Sequence, residues 1–169
     1  MSDSEVGRLR RLRATALRVR AVARALGKTE SMPQNSLCRR TGSAAWRVAR
    51  AASGRLRVHP YARFQRDAGM GVILWNSMVA ATVALGMRGP QAVATFERLL
   101  RQLDRELDHT RALTWSADLS DTFGRSQLEI RALINDITGC RETAVGAVAA
   151  SNPRGGEAPF ESDWPYLAL

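Results

Sequence analysis

The stretch Ser36–Phe64, SLCRRTGSAAWRVARAASGRLRVHPYARF, carries seven arginines and no acid. It fits more than one secondary structure, so its assignment decides the fold. The segments WRVAR, at 46–50, and RLRVH, at 55–59, alternate apolar with basic residues, and Ser53-Gly54 between them are turn residues. Alternation with a period of two on both sides of a turn is typical of paired strands. The pattern therefore favours a short basic β-hairpin over residues 46–58.

A helix-turn-helix is the alternative for residues 36–64. Cys38, a small residue, precedes Gly42 by four positions, and a second helix would follow the glycine. This spacing resembles the headpiece of the lac-repressor family, and the resemblance implies that Arg47 and Arg50 lie in the major groove of DNA. The segment departs from that family's pattern at the turn, where Ser43-Ala44 stands. Both interpretations place arginines and Trp46 against an anion.

The charge of the chain is strongly uneven. The net charge is +9, and 24 of the 25 basic residues are arginine. Residues 1–67 hold 16 of the basic residues and only 4 acids, whereas residues 68–169 hold 9 basic residues and 12 acids. Such asymmetry predicts a basic half that binds an anionic partner and a second half that packs or meets a protein. A solubilising arm is the alternative for the basic half.

Arginines of the N-terminal half are the predicted phosphate ligands, and two aromatic residues among them are the predicted base-stacking residues. Guanidinium forks bind phosphate, and aromatic rings stack on unpaired bases. The arginines are Arg10, Arg13, Arg20, Arg39, Arg40, Arg47, Arg50, Arg55, Arg57 and Arg63, and the aromatic residues are Trp46 and Tyr61. Ordinary core packing is the alternative for Trp46.

Three segments show the apolar spacing of helices that pack on one face. In residues 1–27 the apolar seam is Leu9, Leu12, Ala16, Val19, Ala23 and Leu26, with Gly27 as the helix end. In residues 90–113 it is Val93, Phe96, Leu100, Leu103 and Leu107. In residues 121–138 it is Ile130, Leu133, Ile134 and Ile137, with Ser120 as N-cap and Gly139 as the end. The last two helices should form an antiparallel hairpin, so the fold is predicted to be mainly α, a helical bundle with the short hairpin.

The segment between the basic half and the helical hairpin, residues 68–87, reads AGMGVILWNSMVAATVALGM and carries no charge. Its 20 residues reach the length that a helix needs to cross a bilayer. Glycines together with Asn76, Ser77 and Thr82 make insertion unfavourable. The segment is therefore expected to be a buried core helix, and a single-span membrane anchor is the alternative.

The chain divides into four parts by composition. Residues 1–27 form a basic amphipathic helix, 28–35 a linker, 36–140 the core domain, and 141–169 a flexible tail with aromatic and acidic residues. The tail is rich in proline and glycine near its end, which favours irregular backbone. Its predicted partner-binding residues are Phe160, Trp164, Tyr166 and Leu169.

The dipeptides TG at 41–42 and WR at 46–47, and above all AGMGVILWNSMV at 68–79 before a helical hairpin, carry a second resemblance. Over residues 36–135 the chain resembles an uncharacterised family of small proteins encoded by integrating conjugative elements and plasmids. The resemblance implies a small cytoplasmic protein of a mobile genetic element and brings no catalytic residue with it. It also favours a strand at WRVAR.

The cysteines and histidines indicate neither a metal centre nor catalysis. Cys38 and Cys140 lie far apart without a CxxC motif, so they predict neither a zinc site nor a disulfide framework. His59 and His109 are isolated from each other in sequence. With no signal-like apolar run at the start, we expect a cytoplasmic protein.

No motif of an enzyme is present. Asp104 and Asp108 lie four residues apart on a predicted helix, but Arg101, Arg105 and Arg111 beside them indicate a solvated ion-pair face. The sequence therefore predicts no catalytic residue, no metal and no cofactor.

The predicted function is that of a non-enzymatic DNA-binding accessory protein of a mobile genetic element. Its arginine-rich N-terminal half would contact phosphates of single- or double-stranded DNA, and the helical seams would suit a bundle within the chain or across a homodimer. Two alternatives remain: a protein–protein adaptor that modulates conjugation machinery through its C-terminal tail, and a single-span membrane-anchored protein.

Overall fold

A computed structural model of the protein describes residues 3–28, 35–58, 66–86, 90–113 and 115–151. These residues form five α-helices and no β-strand, which confirms the prediction of a mainly α helical bundle. The helices are α1 (Asp3–Leu26), α2 (Asn35–Val58), α3 (Arg66–Gly86), α4 (Pro90–Arg111) and α5 (Ala117–Ser151).

Four of these helices pack as a closed ring, in which α1 contacts α2, α2 contacts α5, α5 contacts α4, and α4 contacts α1. Ion pairs give the direction of one such contact: Arg40 of α2 pairs with Asp136 of α5, and Arg47 with Glu129. The numbers rise on one helix as they fall on the other, so the two helices are antiparallel. Side-chain contacts show the same reversal between α1 and α2 and between α4 and α5. The ring is therefore a four-helix bundle with antiparallel neighbours.

Helix α3 returns the chain along the bundle. Because α2 and α4 are both antiparallel to α5, they run in the same direction, and the chain must travel back between them. The 21 residues of α3 span about 32 Å, at 1.5 Å per residue. The crossover lies against α1.

Helix α3 leaves the large side chains of Trp75 and Met78 exposed, so the prediction of a buried core helix over 68–87 is wrong for that part of its surface. Ser77 and Ala84 are buried, whereas the side chains of Trp75 and Met78 are 63% and 56% exposed. Among the side chains that the structure describes in α3, the small Ser77 and Ala84 are buried, and Trp75, Met78, Val79 and Val83 are exposed. Within the described ranges, no helix has the length and apolar character needed to cross a bilayer.

Helix α2 corrects two sequence predictions. Residues 46–58 are helical rather than a β-hairpin, and residues 35–58 form one uninterrupted helix rather than two helices joined by a turn. The cause is alanine, the strongest helix former, which supplies much of the buried face. That face has a helical period and consists of Leu37, Cys38, Thr41, Ala44, Ala45, Val48, Ala49, Ala52 and Leu56. The strand at WRVAR is wrong for the same reason.

The three predicted apolar seams are confirmed. The named residues on α1, on α4 and on α5 are all buried, with at most 6% of any of them exposed. Helix α1 ends at Leu26 before Gly27, as predicted. The last turn of α4 is closed by two side chains, since Arg8 donates to the carbonyl of His109 at 2.7 Å and Trp115 to that of Thr110 at 2.6 Å.

The bounds of α5 differ from the prediction at both ends. Its first turn is capped from Ser116, whose carbonyl accepts from the amides of Leu119 and Ser120, so Ser120 is not the N-cap. Gly139 lies inside the helix, which continues to Ser151. Part of the predicted flexible tail is therefore helical, and residues 152–169 lie outside the described residues.

Helix α1, predicted as a basic amphipathic helix over residues 1–27, packs into the core of the bundle. It contacts α2, α3 and α4. Its apolar seam lies in the same core cluster as residues of 36–140. Most of the predicted linker, residues 29–34, is outside the described residues.

Candidate nucleic-acid interface

A groove of about 480 Å³ lies between the second half of α1 and the first half of α2. Four cationic side chains line it: Arg20 and Arg24 from α1, Lys28 from the turn that follows α1, and Arg39 from α2. We call the space lined by these four side chains and by Trp46 of α2 the α1–α2 groove. Its volume falls within the range of about 300–1,000 Å³ that binding clefts for small ligands occupy.

The α1–α2 groove is strongly electropositive. None of its lining residues is acidic. None of its four cations forms an ion pair with a carboxylate in the described part of the chain. Unneutralised like charges around one concave surface attract counterions and anionic ligands. The groove therefore favours an anion on charge alone.

Trp46 forms one wall of the groove. The guanidinium carbon of Arg20 lies 3.9 Å from the centre of the indole ring, which is a cation–π contact. Trp46 is still 43% exposed, so core packing does not account for it. The contact fixes Arg20 against the ring and leaves part of the indole open to the groove.

Small residues allow the groove to form. Gly27, Gly42 and Ser43 lie along it, where larger side chains would fill the space. The chain approaches α2 closely at Gly27, since a Cβ atom there would lie 3.2 Å from the Cβ of Cys38 on α2 and 3.2 Å from the carbonyl oxygen of Ala23 on α1. The glycine thus lets the end of α1 approach α2.

Cys38 contributes no charge to the groove. Burial raises the pKa of its thiol from 9.0 to about 11, because the low-dielectric surroundings disfavour the thiolate. The side chain is 3% exposed. The thiol is therefore neutral at physiological pH, and a neutral buried thiol is a poor nucleophile.

The structure brings together three of the predicted contact residues, Arg20, Arg39 and Trp46. Sequence reasoning missed Arg24 and Lys28 as part of the same site. Their positions held a signal, because Arg24 follows Arg20 by four residues on the same face of α1, and Lys28 continues that interval just past the end of the helix.

Other predicted contact residues hold the bundle together. Arg40 pairs with Asp136 at 3.0 Å, and Arg47 pairs with Glu129, so both arginines join α2 to α5. On α1, Arg13 is only 7% exposed. Its neighbour Arg10 is half-buried, with Nη2 shielded from solvent. None of these four arginines presents a free guanidinium in the α1–α2 groove.

The remaining predicted residues lie elsewhere or are not described. Arg50 and Arg55 are exposed on α2 but do not line the α1–α2 groove. The side chain of Arg57 is not among the described ones. The predictions for Arg63, Tyr61, Phe160, Trp164, Tyr166 and Leu169 fall outside the described residues.

The acids of α4 are occupied by side chains of α5. Arg131 donates from Nε to Asp104 at 2.9 Å and from Nη2 to Asp108 at 3.0 Å. The hydrogen bond to Asp104, and then the charge of that carboxylate, raise the pKa of Arg131 above its ordinary value. The buried amide of Gln127 donates to the same two carboxylates. This pair of acids is therefore part of the α4–α5 contact, although through different partners from those expected.

Among the described residues, no three histidine, cysteine or acidic side chains are grouped closely enough to hold a metal ion.

No family model, curated protein or solved structure matches this chain. The resemblance of residues 36–135 to a family of mobile elements therefore stays a prediction. The interpretation of the site depends on its geometry and charge.

Proposed function

We propose that the protein is a non-enzymatic DNA-binding accessory protein that holds backbone phosphates in the α1–α2 groove. One observation carries the proposal: four cations, three from two helices and one from the turn after α1, line one open groove that contains no acid. A placement in a mobile genetic element agrees with this proposal and rests on the resemblance alone.

The arrangement suits phosphates that follow one another along a chain. Arg24, Lys28 and Arg39 are exposed, and none of them pairs with a carboxylate within the described ranges, so each can reach a phosphate oxygen. Arginine offers two parallel donors to a phosphate, and lysine adds a compact point charge. Each phosphate neutralised in this way releases bound counterions, which gives binding a steep salt dependence. With three or four such contacts, the logarithm of affinity should fall with the logarithm of salt with a slope of about −3.

A matched pair of double variants tests the proposal. The first, Arg24→Ala/Arg39→Ala, removes two free cations of the groove. The second, Arg40→Ala/Arg47→Ala, removes two arginines that pair with acids of α5. Both variants lower the net charge equally, and Arg39 and Arg40 are sequence neighbours. Binding of labelled single- and double-stranded oligonucleotides is measured by fluorescence anisotropy over a series of salt concentrations.

The groove variant should lose affinity and make the salt slope less negative by about 1.5, which corresponds to two fewer phosphate contacts. The control variant should keep the slope of the wild type. Equal losses in the two variants would mean that diffuse charge, and not this groove, attracts DNA. Absence of binding by the wild type at low salt would overturn the proposal.

The adaptor alternative depends on Phe160, Trp164, Tyr166 and Leu169. These residues lie outside the described part of the chain. No contact of the described residues favours the adaptor over the groove, so it stays a prediction of the sequence.

A further inference from the structure

We infer that the α1–α2 groove takes single-stranded rather than duplex nucleic acid, with one base stacked on Trp46 and the adjoining phosphates on Arg24, Lys28 and Arg39. The inference rests on the proposed function and names the form of nucleic acid that the site selects.

The indole ring of Trp46 is partly exposed at the wall of the α1–α2 groove. Trp46 is 43% exposed and lies among cations at the wall of a groove, whereas Trp115 packs edge to face against the buried Phe123, with ring centres 6.4 Å apart. The only ring contact of Trp46 within the described residues is with Arg20. The exposed part of the residue, 43% of its surface, is largely apolar indole left in water, which is unfavourable.

The flat indole ring of Trp46 can stack on a nucleobase. Every base has a flat π-face, and stacking on an aromatic side chain stabilises binding without regard to sequence. The guanidinium of Arg20, 3.9 Å from the ring centre, adds a second planar surface with positive charge. Planar guanidinium groups also stack on unpaired bases. The site thus offers a base two stacking surfaces, one neutral and one cationic.

The accessibility of the bases distinguishes single strands from duplexes at this site. In a duplex each base is covered by its neighbours, and only the base edges are accessible in the grooves. A protein that enters the major groove presents a protruding helix. Here Trp46 lies in a recess between two helices, and the recess of about 480 Å³ has room for about one nucleotide. Only a base that has left its stack can reach the ring.

Small residues form the floor of the α1–α2 groove beside Trp46. Gly42 and Ser43 lie beside Trp46 on α2, and Gly27 lies across from them. A Cβ atom on Gly42 would lie 3.9 Å from the Cβ of Ala23, an ordinary van der Waals contact, so α1 and α2 pack against each other at this floor. The four cations line the same groove, which places charge near the phosphates on either side of a base stacked on Trp46.

The experiment uses the full chain with a 12-residue oligothymidine and a duplex of equal length, under the same salt series. Tryptophan fluorescence reports stacking, because a base in contact with an indole quenches its emission. Trp46→Phe is compared with Trp75→Phe, which removes a more exposed tryptophan on α3 that does not line the groove. Oligothymidine should quench the wild type and Trp75→Phe but not Trp46→Phe. Affinities come from anisotropy, and melting curves confirm that each variant is folded.

The wild type should bind oligothymidine at least tenfold more tightly than the duplex. Trp46→Ala should lose about 5- to 100-fold in affinity for oligothymidine, the range for removal of one stacked aromatic ring. Its affinity for the duplex should change by less than about twofold, because duplex contacts involve phosphates alone. Trp46→Phe should keep part of the preference.

Three failures can be told apart. If both nucleic acids bind with equal, salt-dependent affinity and Trp46→Ala changes neither, the groove binds phosphates but does not select single strands. If neither binds at low salt, the proposed function itself fails. If poly-glutamate displaces oligothymidine as well as unlabelled oligothymidine does, the site takes acidic chains in general, and the inference is wrong.

Discussion

Arg141 of α5 lies 3.0 Å from the buried carboxylate of Glu97 on α4, measured from Nη1 to Oε2. The other carboxylate oxygen, Oε1, accepts hydrogen bonds from Arg101 and from Thr138. The Glu97 side chain is 6% exposed, whereas those of Arg101 and Arg141 are about half exposed. The charges of this cluster are therefore unequally placed, with the anion inside and the cations at the surface.

This inequality predicts which partner is costly to remove. The double variant Arg101→Ala/Arg141→Ala should lose about 3 kcal/mol of unfolding free energy, because it leaves a buried carboxylate without a counter-charge. Adding Glu97→Ala should recover most of that loss, since the buried charge is then gone. Urea unfolding of the double and triple variants measures both values. A triple variant less stable than the double variant would contradict this account of the cluster.

Gly54 provides a test of helix α2 against the predicted hairpin. The residue is exposed and helical, and a Cβ atom there would meet nothing within 4 Å. Because glycine inside a helix is less favourable than alanine by about 1 kcal/mol, Gly54→Ala should raise the melting temperature by a few degrees. At a hairpin turn the same change would lower it. Gly27→Ala is the opposing control and should destabilise, since its Cβ atom would crowd Cys38.

Gln127 is a buried amide whose direction of donation is fixed by its neighbours. Its Nε2 donates to Asp104 at 2.9 Å and to Asp108 at 2.5 Å, while Oε1 accepts from Arg111 at 2.6 Å. Gln127→Glu replaces the donor by an acceptor that faces two carboxylates, so it should destabilise more than Gln127→Leu. We expect about 2 kcal/mol for the leucine variant, from the lost hydrogen bonds. Equal unfolding free energies for the two variants would show that the donation is unimportant.

The buried thiol of Cys38 predicts a dependence on alkaline pH. Its pKa is raised from 9.0 to about 11 in the folded protein, so folding favours the protonated thiol. The stabilisation is complete below pH 9 and is lost as the pH rises through 11. The melting temperature of the wild type should therefore fall relative to that of Cys38→Ala between pH 9 and pH 11.

At pH 8, iodoacetamide should modify the half-buried Cys140 in the native protein and reach Cys38 only after unfolding, as mass spectrometry can show.

The helices with large apolar residues could be predicted from the sequence, and α2 could not. Leucine, phenylalanine and isoleucine at intervals of three and four define the buried faces of α1, α4 and α5. In α2 the buried face contains Ala44, Ala45, Ala49 and Ala52, which carry little hydrophobic signal. The larger residues Trp46 and Val48 then suggested alternation, although in a helix they lie on opposite sides. Because α2 packs largely through small residues, a prediction based on the spacing of large apolar side chains does not detect it as a helix.

The candidate site could be predicted only as a class of residues. The sequence identifies a surplus of arginine, but the partner of each arginine depends on packing between helices. Arg39 and Arg40 are neighbours, yet about 100° of helical rotation separates them. One lines the open groove, and the other pairs with Asp136 on α5. No local pattern distinguishes them, because Asp136 lies almost a hundred residues further along the chain.

The central position of α1 imposes an order of events when the chain is made. Arg8 donates to the carbonyl of His109, and α1 contacts α4 along the bundle. At about 5–20 residues per second, a ribosome needs on the order of ten seconds to add the residues between these two partners. During that time the first helix has emerged, but only α2, and then α3, can cover its apolar seam. The pairing of α1 with α2, which also forms the groove, is thus available long before the bundle can close.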